Sequence, residues 1–291
     1  MIAFVGSVFS PYYALARRRF GDAGAAPEAH CALNVSLYRR PPRGLRYQRL
    51  WAMTERGSQP LQRSPGRLQI GPSRLEWRGD GDLRIDVDEW TVPWPQRLRG
   101  RIHLHLPPHQ LPGRRFMLDA AGHHCWQPIC PRARVELDFD APRWRWQGEA
   151  YLDANHGDRP LARDFSAWQW SRSAGPGQRS RLLYDVQTID GGERALVLDF
   201  DAGGPFQASP LPPRQALPTT AWGLARSSRA AQAPELLATL ESGPFYSRSL
   251  LRDPVEGTVA VHESLSLRRF DQPWVQAMLP FRMPRRAGGH S

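Results

Sequence analysis

At 291 residues the chain is long enough to bury one large core or two moderate ones. Its 41% hydrophobic and 10% aromatic content, with 11 Trp, excludes a disordered chain, and 28 Pro with 25 Gly exclude a long-helix bundle. The formal net charge of +11 rests on 39 cations, every one an arginine. They are dispersed in short clusters such as Arg17-Arg18-Arg19, Arg114-Arg115 and Arg285-Arg286. Dedicated nucleic-acid binders gather charge into patches or tails, so nucleic acid is not an expected partner.

The opening apolar run, Ile2 to Phe9, reads as a buried first strand. Its cations follow the apolar residues, the reverse of a signal peptide, and Pro11 interrupts it. No stretch reaches the ~20 apolar residues of a spanning helix. A soluble or peripheral cytoplasmic protein is expected. Three cysteines, Cys31, Cys125 and Cys130, are too few for a disulfide framework and fit a reducing compartment.

Alternation with period two then recurs along the chain. Leu33, Val35 and Leu37 share one face of Ala32–Tyr38. Leu83, Ile85 and Val87 alternate with Arg84, Asp86 and Asp88; Ile102, Leu104 and Leu106 alternate with His103 and His105; Val135, Leu137 and Phe139 alternate with Glu136, Asp138 and Asp140. Such patterns predict antiparallel sheets with one buried face. The turn residues Gly79-Asp80-Gly81-Asp82 and Asp190-Gly191-Gly192-Glu193 predict two hairpins. Gly203–Pro218 reads as a proline-rich loop, and Ala230–Leu240 as one short helix. The expected class is all-β, with two antiparallel barrels or sandwiches. They would divide into residues 1–160, carrying most of the site, and residues 161–291.

The densest chemistry runs from His123 to Trp170. Alternation places His124 with Trp126 on one strand face, and Tyr151 with Asp153 on another. An acid, an imidazole and two aromatic rings converge if those faces meet. The competing reading makes Trp126 and Tyr151 core residues and Asp153 the start of a turn before Asn155 and Gly157. His103 and His105, with His109 following, form the spacing of a strand-borne metal pair. They are more simply a solvated face opposite Ile102 and Leu104. Cys125 and Cys130, beside His123 and His124, lack the paired CxxC spacing of a structural zinc site, so no metal is expected. No GxSxG elbow, phosphate loop or post-strand GxGxxG is present.

At these residues the sequence resembles the carotenoid 1,2-hydratases, also called hydroxyneurosporene synthases. The resemblance is carried by Phe4-Val5-Gly6-Ser7-Val8-Phe9-Ser10-Pro11-Tyr12-Tyr13, by His30-Cys31-Ala32-Leu33-Asn34-Val35-Ser36-Leu37-Tyr38, and by Trp51-Ala52-Met53-Thr54-Glu55-Arg56-Gly57. The Tyr151–Asp153 region and Val261-His262-Glu263-Ser264-Leu265 extend it over most of the chain, and it departs in the arginine-rich stretch 39–49. The resemblance implies two lipocalin-like β domains and a cofactor-free hydro-lyase. Water would add across the terminal C-1–C-2 double bond of an acyclic carotenoid such as neurosporene or lycopene, giving a tertiary alcohol. His124, Trp126, Tyr151 and Asp153 match the family's proposed catalytic positions.

The chemistry follows from the alkene. A trisubstituted alkene is a weak base, so hydration needs an acid still protonated near neutral pH. Burial raises an Asp pKa, so Asp153 is the expected acid. Trp126 and Tyr151 would face the tertiary cation, and His124 would position Asp153 or guide water. The substrate lives in membrane, which implies peripheral association with the cytoplasmic face of an inner or intracytoplasmic membrane. The alternative is a lipocalin-like carrier that binds a carotenoid or lipid without reacting.

Overall fold

The structure, a computed structural model, describes residues 1–41, 47–107, 114–201 and 207–286. His109 and part of the 39–49 stretch lie outside them. The backbone divides into two units. One comprises Met1–Pro108, Ala133–Ala150 and Gln276–Ser291; the other comprises His109–Arg132 and Tyr151–Val275. The boundary expected near residue 160 therefore falls inside the second unit. The reason is that the two long strands His124–Ala141 and Arg143–Gly157 each give residues to both units. His124, Trp126, Tyr151 and Asp153 all belong to the second unit, not to an N-terminal domain.

The first unit opens with β1 (Ile2–Phe4), helix α1 (Pro11–Phe20), β2 (Cys31–Arg39) and β3 (Gln48–Arg56). The expected strand from Ile2 stops at Phe4 because a helix follows. Ser10 caps that helix, accepting a hydrogen bond from the Tyr13 amide at 2.9 Å, and Pro11 stands in its first turn. Arg17, Arg18 and Arg19 occupy its last turn, where cations favour the helix dipole. β2 alternates as expected, with Leu33, Val35 and Leu37 buried. Strands β4 (Leu61–Ser64), β5 (Arg67–Ile70), β6 (Ser73–Arg78), β7 (Asp82–Trp90) and β8 (Arg97–His105) form an antiparallel meander. Gly81, at φ +85°, makes the turn between β6 and β7. Three arginines converge on Asp86: Arg74 and Arg101 from the neighbouring strands and Arg84 from its own strand. His105 Nδ1 bonds Asp82 at 2.9 Å, and no group of three His, Cys, Asp or Glu among the described residues is placed to hold a metal.

The second unit opens with β9 (Phe116–Met117) and the beginning of β10 (His124–Ala141), where Cys125 and Trp126 pair with Met117 and Phe116. Beyond Arg132, β10 lies in the first unit and pairs with β8 from Arg134↔His105 to Ala141↔Arg99. β11 (Arg143–Gly157) returns, and its last residues rejoin the second unit. Next come β12 (Phe165–Ala174), β13 (Ser180–Thr188), β14 (Glu193–Phe200), β15 (Gln207–Ala208), β16 (Arg214–Leu217), β17 (Arg226–Arg229), β18 (Glu235–Ser242), β19 (Tyr246–Arg252) and β20 (Val259–Ser266). Seven of these make one antiparallel sheet in the order β15-β14-β13-β12-β20-β19-β18. The hairpin expected at Asp190–Glu193 joins β13 to β14, with Gly191 at φ +90°.

Two expectations fail here. Gly203–Pro218 is not all loop, because β15 and β16 fall within it. Ala230–Leu240 contains no helix. Pro234 breaks the run, leaving too few residues for a helix, and β18 pairs with β19 instead. Helices α2 (Leu267–Phe270) and α3 (Pro273–Arg282) follow, and the short strand β21 (Arg285–Arg286) then pairs parallel with β3.

Candidate active site

The site is built where β10 and β11 present their expected faces to one face of the seven-stranded sheet. Asp153 lies within β11, not in a turn. Its Oδ2 accepts a hydrogen bond from Trp126 Nε1 at 2.9 Å. Trp126 is fully buried, its ring 5.6 Å from Phe116 and 5.0 Å from Tyr184. Tyr151 lies 5.5 Å from Trp170, and Trp168 lies 6.5 Å from Tyr184. Aromatic rings thus surround one carboxyl group.

That setting controls its proton. Burial pushes the Asp153 pKa up to about 6 from an ordinary 3.8. The hydrogen bond from Trp126 and the nearby Tyr151 hydroxyl oppose the rise, and the charge of Glu263 adds to it. Burial likewise raises Tyr151 and Tyr184, helped by the nearby Asp153 charge, so both phenols stay neutral. The Tyr151 hydroxyl stands close enough to Asp153 and Trp126 to influence them, but makes no hydrogen bond of good geometry in the protein.

His124 is held elsewhere. Its Nε2 bonds Asp164 Oδ2 at 2.8 Å, and its amide donates to Asp119 Oδ1 at 2.7 Å. Arg159 Nε also bonds Asp164, at 2.7 Å, and keeps that carboxyl below its ordinary pKa. Phe165 packs 4.9 Å from the imidazole. Gly157 makes room for it, since a Cβ there would stand 2.8 Å from His124 Nδ1. The structure therefore brings together Trp126, Tyr151 and Asp153, and fixes His124 at the start of the strand that carries Trp126.

The sequence singles out the stretch ending at Trp168-Gln169-Trp170, whose two indoles fall on this face, but it does not mark Tyr184, Glu263 or its partner Arg248 as site residues. Cross-strand register, which sequence does not display, supplies the rest. On the opposite face, Gln169, Ser171, Asp185 and His262 line a water-sized cavity with β17 residues Ser228 and Arg229.

Fold and site together define a class: an all-β protein that presents one protonatable carboxyl group inside an aromatic box. The solved structure of a candidate AttH protein from Nitrosomonas europaea has the same fold, with a TM-score of 0.53 at 12% identity, covering 81% of this chain and 80% of that one. The profile of the carotenoid hydratase CrtC family matches residues 1–291, and the chain belongs to that family. Similar proteins include the acyclic carotenoid 1,2-hydratases of Thiocapsa roseopersicina, 48% identical over 99% of this chain and 69% of the relative, and Rubrivivax gelatinosus, 44% identical over 98% and 69%. That of Rhodobacter capsulatus is 38% identical over 99% of this chain and 98% of its own length.

Proposed function

We propose that this protein is an acyclic carotenoid 1,2-hydratase. It adds water across the C-1–C-2 double bond of a neurosporene- or lycopene-type polyene to give a tertiary alcohol. One observation carries the mechanism: the Asp153 carboxyl, with its pKa pushed up to about 6, held by Trp126 inside the aromatic box. An apolar polyene lying against the carboxyl displaces water and disfavours the anion further. The alkene π pair takes the Asp153 proton at C-2, leaving a carboxylate and a tertiary cation at C-1. The faces of Trp126 and Tyr151 stabilise that cation, an attraction of ~2 kcal/mol when desolvated. Water then bonds to C-1 and loses a proton. His124, gripped by Asp164, fixes the strand end that carries Trp126.

The test is incubation of the protein with lycopene or neurosporene in membranes, followed by product analysis. Tertiary alcohol from the parent and none from Asp153→Asn is the expected result. Full activity in that variant removes Asp153 from the acid role. A carrier binds its polyene without reacting and has no use for a protonatable group beside Trp126.

We also propose that the protein works at the cytoplasmic face of an inner or intracytoplasmic membrane as a peripheral protein. No helix among the described residues is long and apolar enough to cross a bilayer. Instead α3 turns apolar residues outward: Trp274, Ala277, Met278 and Phe281 are all exposed, while Val275 is buried. These positions share one helical face. Trp222, at an exposed turn, stacks 6.4 Å from Trp274. Exposed aromatic stripes of this kind suit the lipid interface, and the +11 charge favours anionic lipid.

A further inference from the structure

The reaction needs a second proton-handling group, because the water that captures the cation must lose a proton. The register of the seven-stranded sheet supplies one. Glu263 on β20 stands opposite Trp170 on β12, and Arg248 on β19 stands opposite Glu263. Directly opposed residues share a face, so both side chains point to the side where Trp170 meets Tyr151. Arg248 Nη2 bonds Glu263 Oε1 at 2.7 Å and its Nη1 reaches Glu241 Oε1 at 3.3 Å. All three side chains are largely buried.

The Glu263 charge acts on the site: it helps hold the proton on Asp153. Three buried donors, Trp170 Nε1, Tyr151 Oη and Tyr246 Oη, make no hydrogen bond of good geometry in the protein, and Tyr246 Oη stands within reach of Glu263. Trp170 faces Glu263 directly across the ladder, and the Tyr246 hydroxyl feels the Glu263 charge. Buried donors beside a carboxylate acceptor form the setting that holds a water molecule.

We propose that Glu263 is the general base of the hydration. It orients the attacking water and takes its proton as the oxygen bonds to C-1. Asp153 ends the cycle as carboxylate and Glu263 as acid, and exchange with solvent resets both. Arg248 keeps the Glu263 carboxylate aimed at the water. This assignment rests on the hydratase reading above.

The test separates protonation from capture. Parent, Glu263→Gln, Glu263→Asp and Asp153→Asn proteins are given the acyclic polyene in deuterium oxide. Alcohol is quantified, and recovered polyene is analysed for deuterium. General-base removal typically costs 10²–10⁴-fold, so Glu263→Gln should lose alcohol formation by at least about 100-fold. Its cation, with no base to claim a proton from water, returns a proton to the Asp153 carboxylate. The recovered polyene should therefore carry more deuterium than that from the parent. Glu263→Asp keeps the carboxylate and the ion pair and should recover part of the hydration. Asp153→Asn should show neither reaction. Parent-like hydration by Glu263→Gln overturns the assignment. So does loss of exchange together with hydration in a Glu263→Gln protein that still folds and binds the polyene. A parent protein that neither hydrates nor exchanges overturns the hydratase reading itself, and the base assignment with it.

Discussion

Replacing Asp153 by Asn changes stability in a way that only a titrating buried acid explains. The Asp153 pKa stands at about 6 in the folded protein against an ordinary 3.8. Each pH unit of that difference is worth about 1.4 kcal/mol, so the whole is about 3 kcal/mol. The folded state binds the extra proton. Its advantage is complete below pH 3.8 and is lost as pH rises through about 6. Above that the parent holds a partly desolvated anion. Asn cannot ionise, yet its side-chain oxygen still accepts from Trp126. The stability of Asp153→Asn relative to the parent should therefore rise by about 2.4 kcal/mol between pH 4 and pH 7.5, the first part of the change having occurred below pH 4. In a chain of this size that corresponds to roughly 5–10 °C in melting temperature. His262, which burial holds down to about 4, titrates in an overlapping range with the opposite effect. It is common to both proteins and cancels in the difference. Urea unfolding followed by tryptophan fluorescence across this pH range measures the quantity. Parallel stability curves would show that Asp153 titrates as an ordinary carboxyl, and the argument for a neutral-pH acid would fall.

How far the sequence reaches depends on the range of the interaction that decides each feature. Strand alternation is local, so Leu33, Val35 and Leu37 on β2, and the pairs His124/Trp126 and Tyr151/Asp153, were legible without coordinates. Helix α1 is hard to see in the sequence because Pro11 interrupts an apolar run, yet after the Ser10 cap it is a good first-turn residue. Ala230–Leu240 shows the converse: an Ala/Leu run scores as helix until strand pairing with β19 outweighs propensity. The Arg248–Glu263–Trp170 row joins residues from three strands. A one-residue slip in register would turn each side chain to the other face, so composition and spacing say nothing of it. The unit boundary was illegible for a related reason, since β10 and β11 carry no break in pattern where they pass from one unit to the other.

The remaining predictions concern the cation and the lipid surface. Trp126→Phe should retain more hydration than Trp126→Ala, because a π face survives, measured as alcohol formed per unit of folded protein; equal loss in both would remove the cation–π role. Trp274→Ser combined with Phe281→Ser should reduce co-sedimentation with phosphatidylglycerol-containing vesicles at least tenfold and leave hydration of detergent-dispersed polyene unchanged. The magnitude follows from burial: each side chain is worth about 1.5–3 kcal/mol when fully withdrawn from water, and shallow insertion realises only part of that. High salt should weaken the arginine contribution of the parent and leave the contribution of the α3 stripe in place, because screening acts on charge and not on apolar area. Unchanged vesicle binding by the double variant would exclude α3 as the contact. A parent dimer that the two serines dissolve would assign the stripe to a second copy of the chain, since an exposed row of Trp274, Ala277, Met278 and Phe281 demands an apolar cover of some kind.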